Sequence, residues 1–158
     1  MTQAYFVDAH SPEWFEATLA MTKDYFVWMN GQMQATCNLS IEGITGMSID
    51  AYITTAMNVI SPKGLSNAAL FLLVTNGDAV AMGGIRQLPN GNGEVVRIYT
   101  KPEYRGHGYG GLVLEGLIFE AKNRGFQILN LDTGIFMNAA QSMYISHGFK
   151  KCEPYEGA

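Results

Sequence analysis

Charge is scarce in this sequence. Asp, Glu, Lys and Arg make up only 15% of its 158 residues, and the formal net charge is −4. No basic stripe runs along the chain, so the electrostatic footprint that nucleic-acid binding requires is missing and that class of partner is excluded. Cysteine is nearly absent too. Cys37 and Cys152 stand far apart and without metal-ligand spacing, so reduced thiols, no bound metal and a cytoplasmic location are expected. Long apolar runs are also lacking. The longest candidate, LFLLV at 70–74, has the length of a strand, against the roughly 20 residues of a membrane span. The N-terminal MTQAYFVDAH has no basic patch followed by an apolar run. A soluble protein with no membrane partner is expected.

What is present is apolar substance. Hydrophobic residues make up 47% of the chain, enough for one globular domain over 1–158 with a sizeable core. Charge is unevenly spread: residues 1–96 hold 3 basic and 8 acidic side chains, residues 97–158 hold 7 and 6. The C-terminal part is therefore the better place for an anion. An acidic N-terminal part could draw a cationic amine, or be no more than a solvated surface.

Along the chain, AYFVDA reads as a short strand, and Ser11-Pro12-Glu13 gives an N-cap, a first-turn proline and a first-turn acid. A helix should follow, broken or divided in two, ending near Asn30-Gly31. Residues 48–60, stopped by Ser61-Pro62, read as another helix despite the β-branched Ile53, Thr54, Thr55 and Val59. ALFLLVT and DAVAMGGIRQL are two apolar runs joined by Asn76-Gly77, the dipeptide that favours a type I′ hairpin. After the PNGNG turn, EVVRIYT adds a third strand, so residues 69–100 form an antiparallel meander. A glycine loop, a helix through about Asn123, a strand QILNLDT, a helix from Asn138 to His147 closed by Gly148, and a final strand FKKCEPY complete the expectation.

The glycine loop carries the chemistry. RGHGYG, Arg105 to Gly110, lies where a strand hands over to a helix, and Gly106, Gly108, Gly110 and Gly111 let a ligand approach the backbone. A helix start has unpaired N–H groups and about half a positive charge, so it attracts a phosphate, with Arg105 beside it. A glycine-rich connection without a ligand is the alternative. Gly106, Gly108 and Gly111 also satisfy G-x-G-x-x-G, with Asp132 about 20 residues on, as in a dinucleotide fingerprint. Against that stand the spacer KPEYR between strand and glycines and the late position, which leaves too little chain for a dinucleotide sheet. No Gly-Lys-Ser/Thr follows, so a P-loop is excluded.

Read as R-x-x-G-x-G, Arg105, Gly108 and Gly110 resemble the acyl-coenzyme A signature of the GNAT acetyltransferases, approached through Pro102-Glu103-Tyr104. Downstream, Ala140, Tyr144 and Gly148-Phe149 resemble that family's A-x-x-L/M-Y-x-x-x-G-F element. The resemblance implies an α/β (α+β mixed) fold: a twisted mixed sheet, its antiparallel N-terminal meander followed by parallel central strands EVVRIYT and QILNLDT that splay apart, with flanking helices. It implies acetyl-CoA as co-substrate. The backbone of Ile98, Tyr99 and Thr100 would run beside the pantetheine arm, and Arg105, Gly106, His107, Gly108, Tyr109, Gly110 and Gly111 would form the pyrophosphate loop.

By the same resemblance a strand N–H polarises the thioester carbonyl and an amine attacks it directly. Tyr144 stands at the general acid's position, which the flanking motif favours over the alternative of a core tyrosine. Glu94 is the favoured general base; it could equally be a solvated acid after a turn. Asn138 reads as an N-cap with Gln141 three residues on, and as a coenzyme ligand; the family's polar residue one position earlier is here Met137. His107 reads as a spacer, His147 as a residue suited to a helix C-terminus, and Asp132 as a strand-end residue or a substrate-side acid. Family members usually continue through a further strand beside FKKCEPY, and here that strand is expected to be short or missing. A second copy in a homodimer could supply it. The expected function is N-acetyl transfer to a primary amine of a small molecule, with a protein or peptide amine as the nearest variant. The competing class is a module that binds acetyl-CoA without transfer.

Overall fold

The computed structural model describes residues 3–59, 67–133 and 138–155. Its five-stranded sheet has the order β1-β2-β3-β4-β5, with β1 Tyr5–Asp8, β2 Ala69–Thr75, β3 Asp78–Gln87, β4 Gly93–Thr100 and β5 Leu129–Leu131. The first four strands pair antiparallel and β4 pairs parallel with β5. One face is covered by α1 Phe15–Cys37 and α3 Ile49–Val59, with the short α2 Ile41–Thr45 between them in sequence; the other is covered by α4 Tyr109–Asn123, with α5 Asn138–Ser146. Among the described residues no helix is long and apolar enough to cross a membrane.

Local signals are realised where they are strongest. Asn76 and Gly77 both have positive φ, 54° and 80°, the I′ geometry that closes β2 onto β3 with Thr75 opposite Asp78. Ser48 caps α3 by accepting from the Ala51 N–H at 3.2 Å, and its β-branched Thr54 and Thr55 back-bond to the carbonyls of Asp50 and Ala51. The expected stop at Ser61-Pro62 lies outside the described residues.

Three expectations are corrected. The N-terminal helix does not break near Asn30-Gly31 but runs on to Cys37, where Asn38 closes it in the left-handed region. Asn30 does not end the helix: its side chain accepts the Ile41 N–H at 2.8 Å, tying α2 to α1. The strand expected from QILNLDT is only three residues long, because pairing with β4 ends at Val95–Leu131 and the two strands then part. FKKCEPY forms no strand. Its last residue instead reaches back to β4, where the Tyr155 hydroxyl donates to Glu94 Oε2 at 2.6 Å.

The departure that matters most lies inside β4. Between Met82–Tyr99 and Gly84–Val96 the β3–β4 register slips, so Arg97 and Ile98 face a single β3 residue, Gly83. Arg97 takes φ 55° to make this bulge. As a result Glu94, Val96, Arg97 and Tyr99 face α1, whereas Val95 and Ile98 face α4. Strict alternation from Glu94 would have placed Arg97 among the fully buried Val113, Leu114 and Leu117.

Gly83, opposite the bulge, lets α4 lie against the sheet: a Cβ there would stand 2.5 Å from Val113 Cγ1 and 2.8 Å from Leu117 Cδ1. Gly83→Ala is therefore expected to destabilise the fold by about 1–3 kcal/mol through overpacking. Urea unfolding checks this, and an unchanged midpoint at unchanged slope would contradict it.

Candidate functional site

Where β4 and β5 part, a cavity of about 790 Å³ passes through the sheet from one helical layer to the other. Its α4-side wall includes Ile98, Thr100, Gly110, Met143 and Tyr144; its α1-side wall includes Tyr25, Phe26, Tyr52, Glu94, Arg97 and Tyr99. Arg105 and Gly110, on either side of the glycine loop, mark one end. This size is that of a small-molecule site.

The glycine loop has the features of an anion cradle. Gly108 caps α4 with φ 81° and has no side chain to offer, and the first α4 bond runs from Leu112 N–H to Gly108 O. No side-chain cap is present and no acid lies in the first turn, so among the described residues no cap or first-turn acid competes for the N–H groups of Tyr109, Gly110 and Gly111. The glycines are needed for different reasons. Gly106 and Gly108 have positive φ, whereas a Cβ on Gly110 would stand 3.2 Å from Met143 Sδ and one on Gly111 3.6 Å from the His147 ring. Arg105 donates through Nε to Thr100 O at 3.0 Å, and its guanidinium lies over the rings of Tyr99 and Trp28.

Tyr144 is 8% exposed, packed beside Phe149, and its hydroxyl has no hydrogen-bond partner among the described residues. Burial pushes its pKa up to about 12, so the phenol stays protonated. Glu94, 3% exposed, accepts from Arg86 on Oε1 at 2.6 Å and from Tyr155 on Oε2 at 2.6 Å. It is a buried, paired carboxylate and not the solvated acid that the turn before it suggested.

The model of the acetyltransferase (GNAT) family matches residues 46–149, about two-thirds of the chain. The chain belongs to the GNAT acetyltransferase family. This acetyltransferase is 27% identical over 134 residues to the uncharacterized N-acetyltransferase YsnE of Bacillus subtilis, a match covering 75% of this chain and 89% of that one. With the uncharacterized N-acetyltransferase YedL of Escherichia coli it shares 32% identity over 88 residues, 54% of this chain and 55% of that one. Its fold is that of a predicted acetyltransferase from Clostridium acetobutylicum solved with acetyl-CoA, with TM-score 0.67 and 18% identity over 98% of this chain and 94% of the other.

In this GNAT chain the cavity brings together Ile98, Tyr99, Thr100, Arg105, Gly110, Asn138, Tyr144 and Glu94 of the residues singled out from sequence. Gly106, His107, Gly108, Tyr109 and Gly111 belong to the adjoining loop and first turn; His107 is exposed, its ring 6.0 Å from that of Tyr109. Asn138 is the first residue of α5, and Gln141 donates to Thr133 Oγ1 at 3.1 Å. His147 is held by the Met143 carbonyl and by Glu115 at 3.4 Å. Asp132 reaches the cavity. Sequence reasoning passed over Arg86, Arg97, Tyr155 and the aromatic wall of Tyr25, Trp28 and Tyr52. The arginine within EVVRIYT was the available signal, a second charge in the middle of a mostly apolar strand.

Proposed function

We propose that this protein transfers the acetyl group of acetyl-CoA directly to a primary amine of a small molecule, within a complex holding both substrates. What carries the reading is the continuity of the cavity, from the uncapped start of α4, past Tyr144 and through the gap between β4 and β5, to the aromatic wall on the α1 side. The loop's free N–H groups and Arg105 suit the pyrophosphate. Acetyl-CoA supplies an activated acyl group, so no covalent enzyme intermediate is required.

The protein's own groups then have separate tasks. Arg97 and Ile98 have no separate partners in the β3 register, so the bulge is the place where a backbone N–H is free to meet the thioester oxygen. Tyr144, kept neutral by burial, gives its proton to the departing sulfur. Glu94, held by Arg86 through Oε1, draws the ammonium and takes its proton at Oε2, with Tyr155 yielding that oxygen.

The test is release of free thiol from acetyl-CoA against a panel of small primary amines and N-terminal peptides. Turnover with a small amine is expected. Acetyl-CoA binding with no thiol release across the whole panel would overturn the reading in favour of a non-catalytic acyl-CoA module.

A further inference from the structure

Among the described residues four non-glycine residues have positive φ: Asn38, Asn67, Asn76 and Arg97. Asparagine tolerates that region through its short polar side chain, whereas a long side chain does not favour it. Arg97 is thus held in an unfavourable backbone conformation, and the effect is to turn its guanidinium into the cavity. There it lies over the Phe26 ring, 5.2 Å from the centroid, and one nitrogen donates to Ala56 O at 3.0 Å. No carboxylate pairs with it among the described residues. An arginine keeps its proton, and a half-buried cation without a counter-charge is less well solvated than one at the surface.

The surrounding charges specify what would complete it. Arg86 is neutralised by Glu94. Arg105 sits at the loop end of the cavity, over Tyr99 and Trp28. Arg105 likewise has no carboxylate partner among the described residues, and the coenzyme's pyrophosphate is the anion assigned to it; the charge of Arg97 still lacks one, where the walls are the rings of Tyr25, Phe26 and Tyr52. Glu94 begins the same strand and Asp132 reaches the same cavity, so its acidic groups lie toward β5. A single planar fork with unused donors matches a planar monoanion, while the acidic end matches an ammonium.

We infer that Arg97 binds a carboxylate of the acceptor, so the amines this enzyme acetylates are amino carboxylates of the amino-acid class, their apolar part lying against the rings of Tyr25 and Tyr52. This rests on the acetyl-transfer reading above for the word acceptor, and on the cavity alone for the carboxylate.

The experiment has two arms. In the first, thiol release is measured for the common amino acids, each beside the amine left when its carboxyl group is removed. The amino acid is expected to be favoured in kcat/KM by about 10–100-fold, the range of one charge-assisted contact. Arg97→Met should bring the ratio close to one, mainly through KM for the amino acid, and Arg97→Lys should keep part of it. In the second arm, calorimetry compares 3-phenylpropionate with 3-phenylpropanamide on the chain without coenzyme. The carboxylate is expected to bind at least about tenfold tighter, and less so in Arg97→Met. This comparison on the unaltered protein decides the matter even if a variant fails to fold.

Equal turnover of amines with and without a carboxylate, or a preference for phosphoethanolamine over every amino acid, would overturn the inference and leave acetyl transfer standing. Carboxylate binding through Arg97 with no thiol release from any amine would keep the anion site and remove the transfer reading. Equal binding of acid and amide would remove the site.

Discussion

Tyr144→Phe is expected to lower kcat by about 10²–10⁴-fold, the usual contribution of a positioned proton donor, with acetyl-CoA binding retained. The change removes one oxygen. The ring that packs beside Phe149 stays, and the hydroxyl has no hydrogen-bond partner among the described residues whose loss would disturb the fold. The departing thiolate belongs to a thiol of pKa about 8.5 and gains from a proton as the bond to carbon breaks. A phenol whose pKa burial pushes up to about 12 remains a donor throughout the range in which the amine loses its proton. The wild-type kcat profile should therefore show no descending limb near pH 10 from this group. The sign for stability is opposite. Because the folded pKa exceeds the unfolded one, the contribution is complete below pH 10 and is lost as pH rises toward about 12. Single-turnover rates with calorimetric binding constants are the measurement. Unchanged turnover would dismiss Tyr144 as the acid, and a parallel loss of coenzyme binding would make its role one of packing.

What could be read from the sequence was local. Asn76-Gly77 forces a hairpin because two successive positive φ values are needed there, and no distant residue has a say. RGHGYG likewise announces a helix start without a cap, and its resemblance with the Tyr144 element led to the cofactor and family. The bulge was not legible in the same way. No glycine within β4 marks it, and its cause is a register slip between β3 and β4 that single-strand periodicity cannot express. Hence strict alternation along EVVRIYT would put Val96, Ile98 and Thr100 on the face of Glu94, whereas the bulge sends Val96, Arg97 and Tyr99 to one face and Ile98 to the other. The state of Glu94 was hidden for a related reason: its partners Arg86 and Tyr155 stand 8 and 61 residues away. The segment after Gly148 read as a strand from its composition. In the structure it gives the sheet no hydrogen-bonded neighbour, and it contributes a single hydroxyl to the cavity's acid.

Gly108→Asp separates stability from binding. At the N-cap of α4 an aspartate brings a negative charge to the positive end of the helix dipole, a favourable placement that does not need the extended backbone of a hydrogen-bonding cap, which φ 81° does not provide. Aspartate also tolerates the left-handed region better than most residues, so φ 81° costs it less, and a Cβ there meets no atom within 4 Å. The melting temperature should accordingly change little. Acetyl-CoA binding should fall by at least about 100-fold, because the carboxylate sets a like charge and added bulk beside the N–H groups meant for the pyrophosphate, and hydrogen bonds to charged groups contribute about 1.5–3 kcal/mol each. Gly108→Ala is the control: it imposes the backbone penalty without a carboxylate or a charge, and should lose far less affinity. Calorimetric titration of the three proteins with acetyl-CoA, beside their thermal melts, distinguishes the cases. If Gly108→Asp binds as tightly as wild type, the start of α4 is not the phosphate site, and the charge of Arg105 must be sought another partner.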